Sequence, residues 1–72
     1  MIILSERLRQ LRKENRLTQQ SVADRLGGKL RTYQYYESDT EQSHRPDLET
    51  LAALADLYEV SVDYLIGRTD AR

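Results

Sequence analysis

Apolar residues recur along this chain in short bursts at helical spacing, and each burst is bounded by a residue that starts or stops a helix. Leu4, Leu8 and Leu11 form the first stripe. They predict a helix from about Ser5 to Glu14, capped by Ser5, with Glu6 near its positive end and Asn15 closing it in the left-handed conformation. Arg7, Arg9, Arg12 and Lys13 fall mostly on its outer faces. Val22, Ala23 and Leu26 form the second stripe, on a helix from Gln19 to Leu26 that Thr18 caps, Leu17 anchors and Gly27-Gly28 ends. A third helix starts at once, roughly Leu30 to Glu37. Ser38 to Arg45 is polar throughout and predicts a loop closed by Pro46. Asp47 caps a fourth helix carrying Leu48, Leu51, Leu54, Ala55 and Tyr58. After the link Glu59-Val60, Ser61 caps a fifth with Val62, Leu65 and Ile66 as its apolar face and Gly67 as its stop. No run alternates strictly enough for a strand. The predicted fold class is all-α: a compact bundle of short helices in which residues 1–68 form one domain and 69–72 a flexible, fraying tail.

The stretch LTQQSVADRLGGKLRTYQYYE organises the rest. It holds two short helices, a turn of a few residues and a small Ala23 where the helices must cross closely. Those features predict a helix-turn-helix unit, whose second helix enters the DNA major groove. On that second helix the period of an α-helix turns Thr32, Tyr33 and Tyr36 inward and Leu30, Arg31, Gln34, Tyr35 and Ser38 outward, with Lys29 at the entry.

Charge changes this picture by its distribution. The net charge is −1, which alone argues against nucleic acid. Residues 1–35 nevertheless carry eight basic against three acidic residues, and residues 36–72 three against nine. A basic half containing the two-helix unit suits a phosphate backbone, and the acidic half would face away. The plainer account is that these charges merely solvate helix faces. With 72 residues there is room for one small core. There is no cysteine, hence no disulfide or thiolate metal site, and no cofactor is expected. No apolar run is long enough for a membrane span or signal peptide, so a cytoplasmic protein with no membrane partner is the expectation. One histidine, scattered carboxylates and no glycine-rich phosphate loop argue against an enzyme.

The segments LRKENRLTQQSVADRLG, TYQYYES, PDLETL and SVDYLIGRTD lie in order and cover nearly the whole chain. Together they resemble the Cro/repressor-type helix-turn-helix family, also called the xenobiotic-response-element family. The resemblance implies a five-helix, lambda-repressor-like domain that binds double-stranded operator DNA, often as a dimer, and regulates transcription in bacteria, phages or mobile elements. Two departures stand out. Gly28 takes a place that is usually apolar in the family and plugs the gap between the helices. The link after the third helix is about three residues longer than usual, with Asp39 where a glycine often stands.

The resemblance places Gln19, Leu30, Arg31, Gln34 and Tyr35 at the family's usual contact positions; Lys29, Thr32 and Ser38 are expected as secondary contacts. The chemistry of these residues agrees. The Arg31 fork matches two acceptors on guanine, and Gln34 can pair twice with adenine. Leu30 suits a thymine methyl, and Tyr35 a thymine methyl or a phosphate. Gln19, at the start of the second helix, can grip phosphate. Tyr33 and Tyr36 are expected in the core, and Glu37 as a structural partner of an arginine on the first or second helix. Arg7, Arg12 and Arg16 are expected to be ordinary surface charges, and His44 a solvated loop residue. Val62, Tyr64, Leu65 and Ile66 exceed what one short helix must bury, which predicts a homodimer contact at the C-terminal helix. The competing function is a protein-interaction module such as an antitoxin or anti-repressor.

Overall fold

A computed structural model describes residues 2–38 and 45–72, with Ile2 described by its backbone. The expectations for Asp39, for His44 and for most of the long loop therefore lie outside the described residues. Among the described residues there are five helices and no strand: α1 (Ile2–Glu14), α2 (Gln19–Leu26), α3 (Leu30–Tyr36), α4 (Leu48–Tyr58) and α5 (Val62–Leu65). The all-α, five-helix expectation holds.

Three helix starts follow the predicted capping chemistry. The Thr18 hydroxyl accepts from Ser21 N at 3.1 Å while the Ser21 hydroxyl accepts from Thr18 N at 3.2 Å, a reciprocal box. Asp47 accepts from Thr50 N at 2.8 Å, and Ser61 from Tyr64 N at 3.0 Å. The start of α1 is different. It begins three residues before Ser5, and Ser5 is a fully buried residue inside the helix, not its cap. The extra turn places Leu4 on the helical face that also carries Leu8 and Leu11, and all three are buried.

Four helix ends share one closing bond. The backbone N–H of Leu17 reaches Arg12 O, that of Gly28 reaches Ala23 O, that of Val60 reaches Ala55 O and that of Arg68 reaches Asp63 O, each at 2.9–3.1 Å. Each bond spans a left-handed residue: Arg16 (φ 55°), Gly27 (φ 71°), Glu59 (φ 55°) and Gly67 (φ 85°). The left-handed residue after α1 is thus Arg16 and not Asn15, whose side-chain amide instead donates to Leu11 O at 2.7 Å. Gly67 also lies close against α1, since a β-carbon there would lie 2.9 Å from two carbons of Ile3.

The core comprises Leu4, Leu8, Leu11, Val22, Ala23, Tyr33, Leu54, Ala55, Tyr58, Tyr64 and Leu65, flanked by half-buried Leu17, Leu26, Tyr36, Leu51, Leu57, Val60 and Val62. α2 and α3 pack on each other, α1 against α3 and α5, and α4 against α2 and α5. Buried Ala23 allows the close α2–α3 crossing. Leu48 departs from its stripe: it stands in the first turn of α4, beyond the packed part of that helix, and is 76% exposed.

The segment expected to fray is tethered. Arg7 lies with its guanidinium 4.1 Å from the Tyr64 ring centroid and donates to the Tyr64 carbonyl, to Thr69 O at 2.7 Å and to Asp70 Oδ1 at 2.8 Å. Arg72 pairs with both oxygens of Glu14, at 2.9 and 2.8 Å, and its carbonyl accepts from Ser61 N at 2.9 Å. Arg7 is therefore an internal strut rather than an ordinary surface charge.

Candidate nucleic-acid interface

The turn between α2 and α3 is three residues, Gly27 to Lys29. Gly27 supplies the left-handed angle that redirects the chain and Lys29 starts α3 in an extended conformation. Seven helical residues then split into two faces. Tyr33 is buried, with its ring edge-on to Tyr36 at 6.3 Å between centroids, and its hydroxyl is 3.1 Å from that of Tyr58. Burial, then the hydrogen bonds to Glu37 and Tyr58, push the Tyr33 hydroxyl well above the ordinary tyrosine range, and burial raises that of Tyr58. Both rings stay neutral anchors for α3. Tyr36 is half-buried against the core, and desolvation raises its hydroxyl as well.

On the other face Lys29, Arg31 and Gln34 are exposed, while Leu30, Tyr35 and Ser38 are half-buried. Among the described residues neither Lys29 nor Arg31 makes an ion pair. Thr32, expected to lean inward, is exposed. It lies at the rim of a cleft of about 80 Å³ lined by Ala23, Leu26, Gly28, Tyr33, Tyr36 and Thr50 among others. A β-carbon at Gly28 would meet nothing within 4 Å, so the gap that an apolar side chain would plug is open here.

A polar chain braces this face from behind. Glu37, just past the end of α3, is only 4% exposed. Its carboxylate accepts from Arg12 Nε at 2.7 Å and Nη2 at 3.1 Å, and from Gln19 Nε2 at 3.2 Å. Gln34 Nε2 in turn donates to Gln19 Oε1 at 3.3 Å. The expected arginine partner of Glu37 is thus Arg12, and Arg12 is a structural residue, not a plain surface charge. Its hydrogen bonds to Glu37 raise its already high pKa, so the charge persists at any accessible pH. The pair neutralises the acidic charge at the end of α3. The link from Gln19 to Gln34 had no signal in the residue pattern, because it depends on how closely α2 and α3 approach.

No group of three or more potential metal ligands and no helix long and apolar enough to cross a membrane occurs among the described residues.

The comparisons with known proteins converge on this unit. The family model described as Helix-turn-helix matches residues 8–65. The chain is 46% identical over 65 residues to the Uncharacterized HTH-type transcriptional regulator YobD of Bacillus subtilis, covering 90% of this chain and 55% of that protein. It is 46% identical over 63 residues to the HTH-type transcriptional regulator AnsR of the same organism, covering 88% and 52%. It is 40% identical over 65 residues to the Cryptic phage CTXphi transcriptional repressor RstR of Vibrio cholerae, covering 90% and 55%. The chain thus spans about half the length of the curated relatives it matches. No solved structure matches it. With its two-helix unit, its five-helix frame and these relatives, the chain belongs to the Cro/repressor-type helix-turn-helix family.

Proposed function

We propose that this domain binds double-stranded DNA sequence-specifically and regulates transcription without chemistry, most simply as a repressor. One observation carries the reading: the polar ridge of α3, with Arg31 and Lys29 unpaired among the described residues and with Gln34, projects into solvent from an apolar base of Tyr33 and its neighbours. α3 would lie in the major groove, with Leu30, Arg31, Gln34 and Tyr35 toward base edges and Lys29, Thr32 and Ser38 at its margins. Gln19, at the N-terminus of α2, would meet phosphate and set orientation. Residues 1–68 would act as the binding unit, with 69–72 held against it.

A single seven-residue helix reads few base pairs, which favours a homodimer on a pseudo-palindrome with half-sites about 34 Å apart. Tyr64 and Leu65 are committed to the core of the monomer, so a contact at the C-terminal helix would draw on half-buried Val62 and Ile66.

The test is selection of bound sites from random DNA, followed by fluorescence anisotropy over a range of salt. Binding should weaken steeply with salt, and Arg31→Ala should cost roughly 1–3 kcal/mol on the selected site. A folded protein that shows neither effect would refute the reading.

A further inference from the structure

We propose that the buried Glu37 carboxylate sets the hydrogen-bonding direction of the amides that reach the surface, and so makes Gln34 a reader of adenine in preference to guanine. The inference deepens the DNA-binding reading and rests on it.

The argument follows donors and acceptors outward from the core. A carboxylate paired with arginine only accepts hydrogen bonds. Gln19 must therefore turn its Nε2 toward Glu37 Oε1, 3.2 Å away. That turn points Gln19 Oε1 the other way, toward α3. A carbonyl oxygen also only accepts, so Gln34 must meet it with Nε2, at 3.3 Å. Reversing the Gln19 amide would set its oxygen against the carboxylate. Reversing Gln34 would set oxygen against oxygen. Arg12 holds the origin of the chain still by gripping Glu37 at two points.

The order reaches solvent at Gln34. One N–H of its amide is spent on Gln19, and the second N–H and Oε1 remain on an exposed residue. Among the described residues Oε1 accepts no hydrogen bond. A donor beside an acceptor complements adenine, whose N7 accepts and whose N6 amino group donates. Guanine shows two acceptors, N7 and O6, and would face Oε1 with an oxygen. Gln34 is the contact in this scheme, whereas Gln19 and Glu37 are positioning residues.

The experiment first selects bound sites with the full chain and uses Gln34→Ala to find the base pair whose preference that change removes. Anisotropy then compares adenine with guanine at that pair for the parent protein, Gln19→Met and Glu37→Gln, with circular dichroism to confirm folding. The parent should favour adenine about tenfold, within the range that a bidentate base contact supplies. The ratio should fall to about two- to threefold in Gln19→Met, which leaves the Arg12–Glu37 pair intact, and likewise in Glu37→Gln, whose amide can donate or accept. Overall affinity will also drop in Gln19→Met, so the ratio is what decides. Should Glu37→Gln fail to fold, Gln19→Met decides alone. An unchanged ratio in a folded Gln19→Met, a parent that prefers guanine, or no effect of Gln34→Ala would each overturn the inference while leaving DNA binding intact. A folded parent that binds no DNA would overturn the functional reading and this inference together.

Discussion

Arg12 meets Glu37 side-on, Nε to Oε2 at 2.7 Å and Nη2 to Oε1 at 3.1 Å, while its Nη1 donates to Leu17 O at 3.1 Å. One guanidinium thus ties α1 to the turn before α2 and to the end of α3. Removing one partner leaves the other charge desolvated, which typically costs about 3–5 kcal/mol. Arg12→Met is expected to lose stability on that scale. The double variant Arg12→Met, Glu37→Leu should recover most of the loss, because neither charge is then stranded. Urea unfolding of the two single variants and the double variant measures the coupling.

Among the described residues, two left-handed ones carry side chains. Arg16 and Glu59 both have φ of 55°, a conformation that costs a non-glycine residue roughly 1–2 kcal/mol, against about 0.5–1 kcal/mol of extra chain entropy for glycine. Arg16→Gly and Glu59→Gly should each stabilise the fold by roughly 0.5–1 kcal/mol, read as a rise in melting temperature.

Arg7 holds the C-terminal segment through a fork of donors and a ring contact to Tyr64. Arg7→Ala should cost about 2 kcal/mol, the sum expected for charged hydrogen bonds and a cation–ring contact after solvent screening. Arg7→Lys should rescue little, because an ammonium cannot reach three acceptors in one plane. Faster amide exchange at Ser61, whose N–H is bonded to Arg72 O, would report the release of the tail.

The open space at Gly28 invites filling. Gly28 has no positive φ, so a side chain meets no backbone strain there. Gly28→Val should stabilise the fold by about 0.4–1 kcal/mol, from a less flexible unfolded chain. A lower urea midpoint would show that the cleft beside Ala23 and Tyr33 cannot accept the added carbons.

Asp47 makes stability depend on pH. Its hydrogen bonds to the Thr50 side chain and backbone hold its carboxyl below the usual range. A folded-state value below the unfolded one means the contribution is fully present above the unfolded value. It is lost as pH falls through the folded one. Glu14, lowered by its bonds to Arg72, acts with the same sign. Stability should therefore fall between about pH 5 and pH 2, and less steeply in Asp47→Asn. Unfolding midpoints measured across that range test it.

The residue pattern specified much of the frame. Thr18, Asp47 and Ser61 start their helices as their side-chain chemistry dictates, and Gly27 stops α2 as its backbone freedom allows. The need of Glu37 for an arginine was also legible, since a carboxylate next to the core must be paired. Other features depend on packing that no local signal records. Ser5 looks like a cap but is a fully buried residue inside α1. Arg16, and not the better suited Asn15, takes the left-handed angle, while the Asn15 amide bonds Leu11 O. Leu48 keeps the periodicity of its helix and still points away from the interior, and the tether of the tail through Arg7 spans most of the chain in sequence. On the candidate interface, the exposure of Arg31 and Gln34 and the burial of Tyr33 followed from helical period, whereas the exposure of Thr32 and the partial burial of Leu30, Tyr35 and Ser38 did not, and the amide link from Gln19 to Gln34 required the crossing of two helices.

The four matching helix ends have a consequence for the unfolding chain. Each of these four stops is written within six consecutive residues, and at Gly27 and Gly67 the left-handed angle carries no side-chain strain. When heat or acid loosens the interior, the corners are therefore poised to outlast the packing between them. The residual chain would be a string of intact bends joined by melting rods, already carrying the directions that refolding needs.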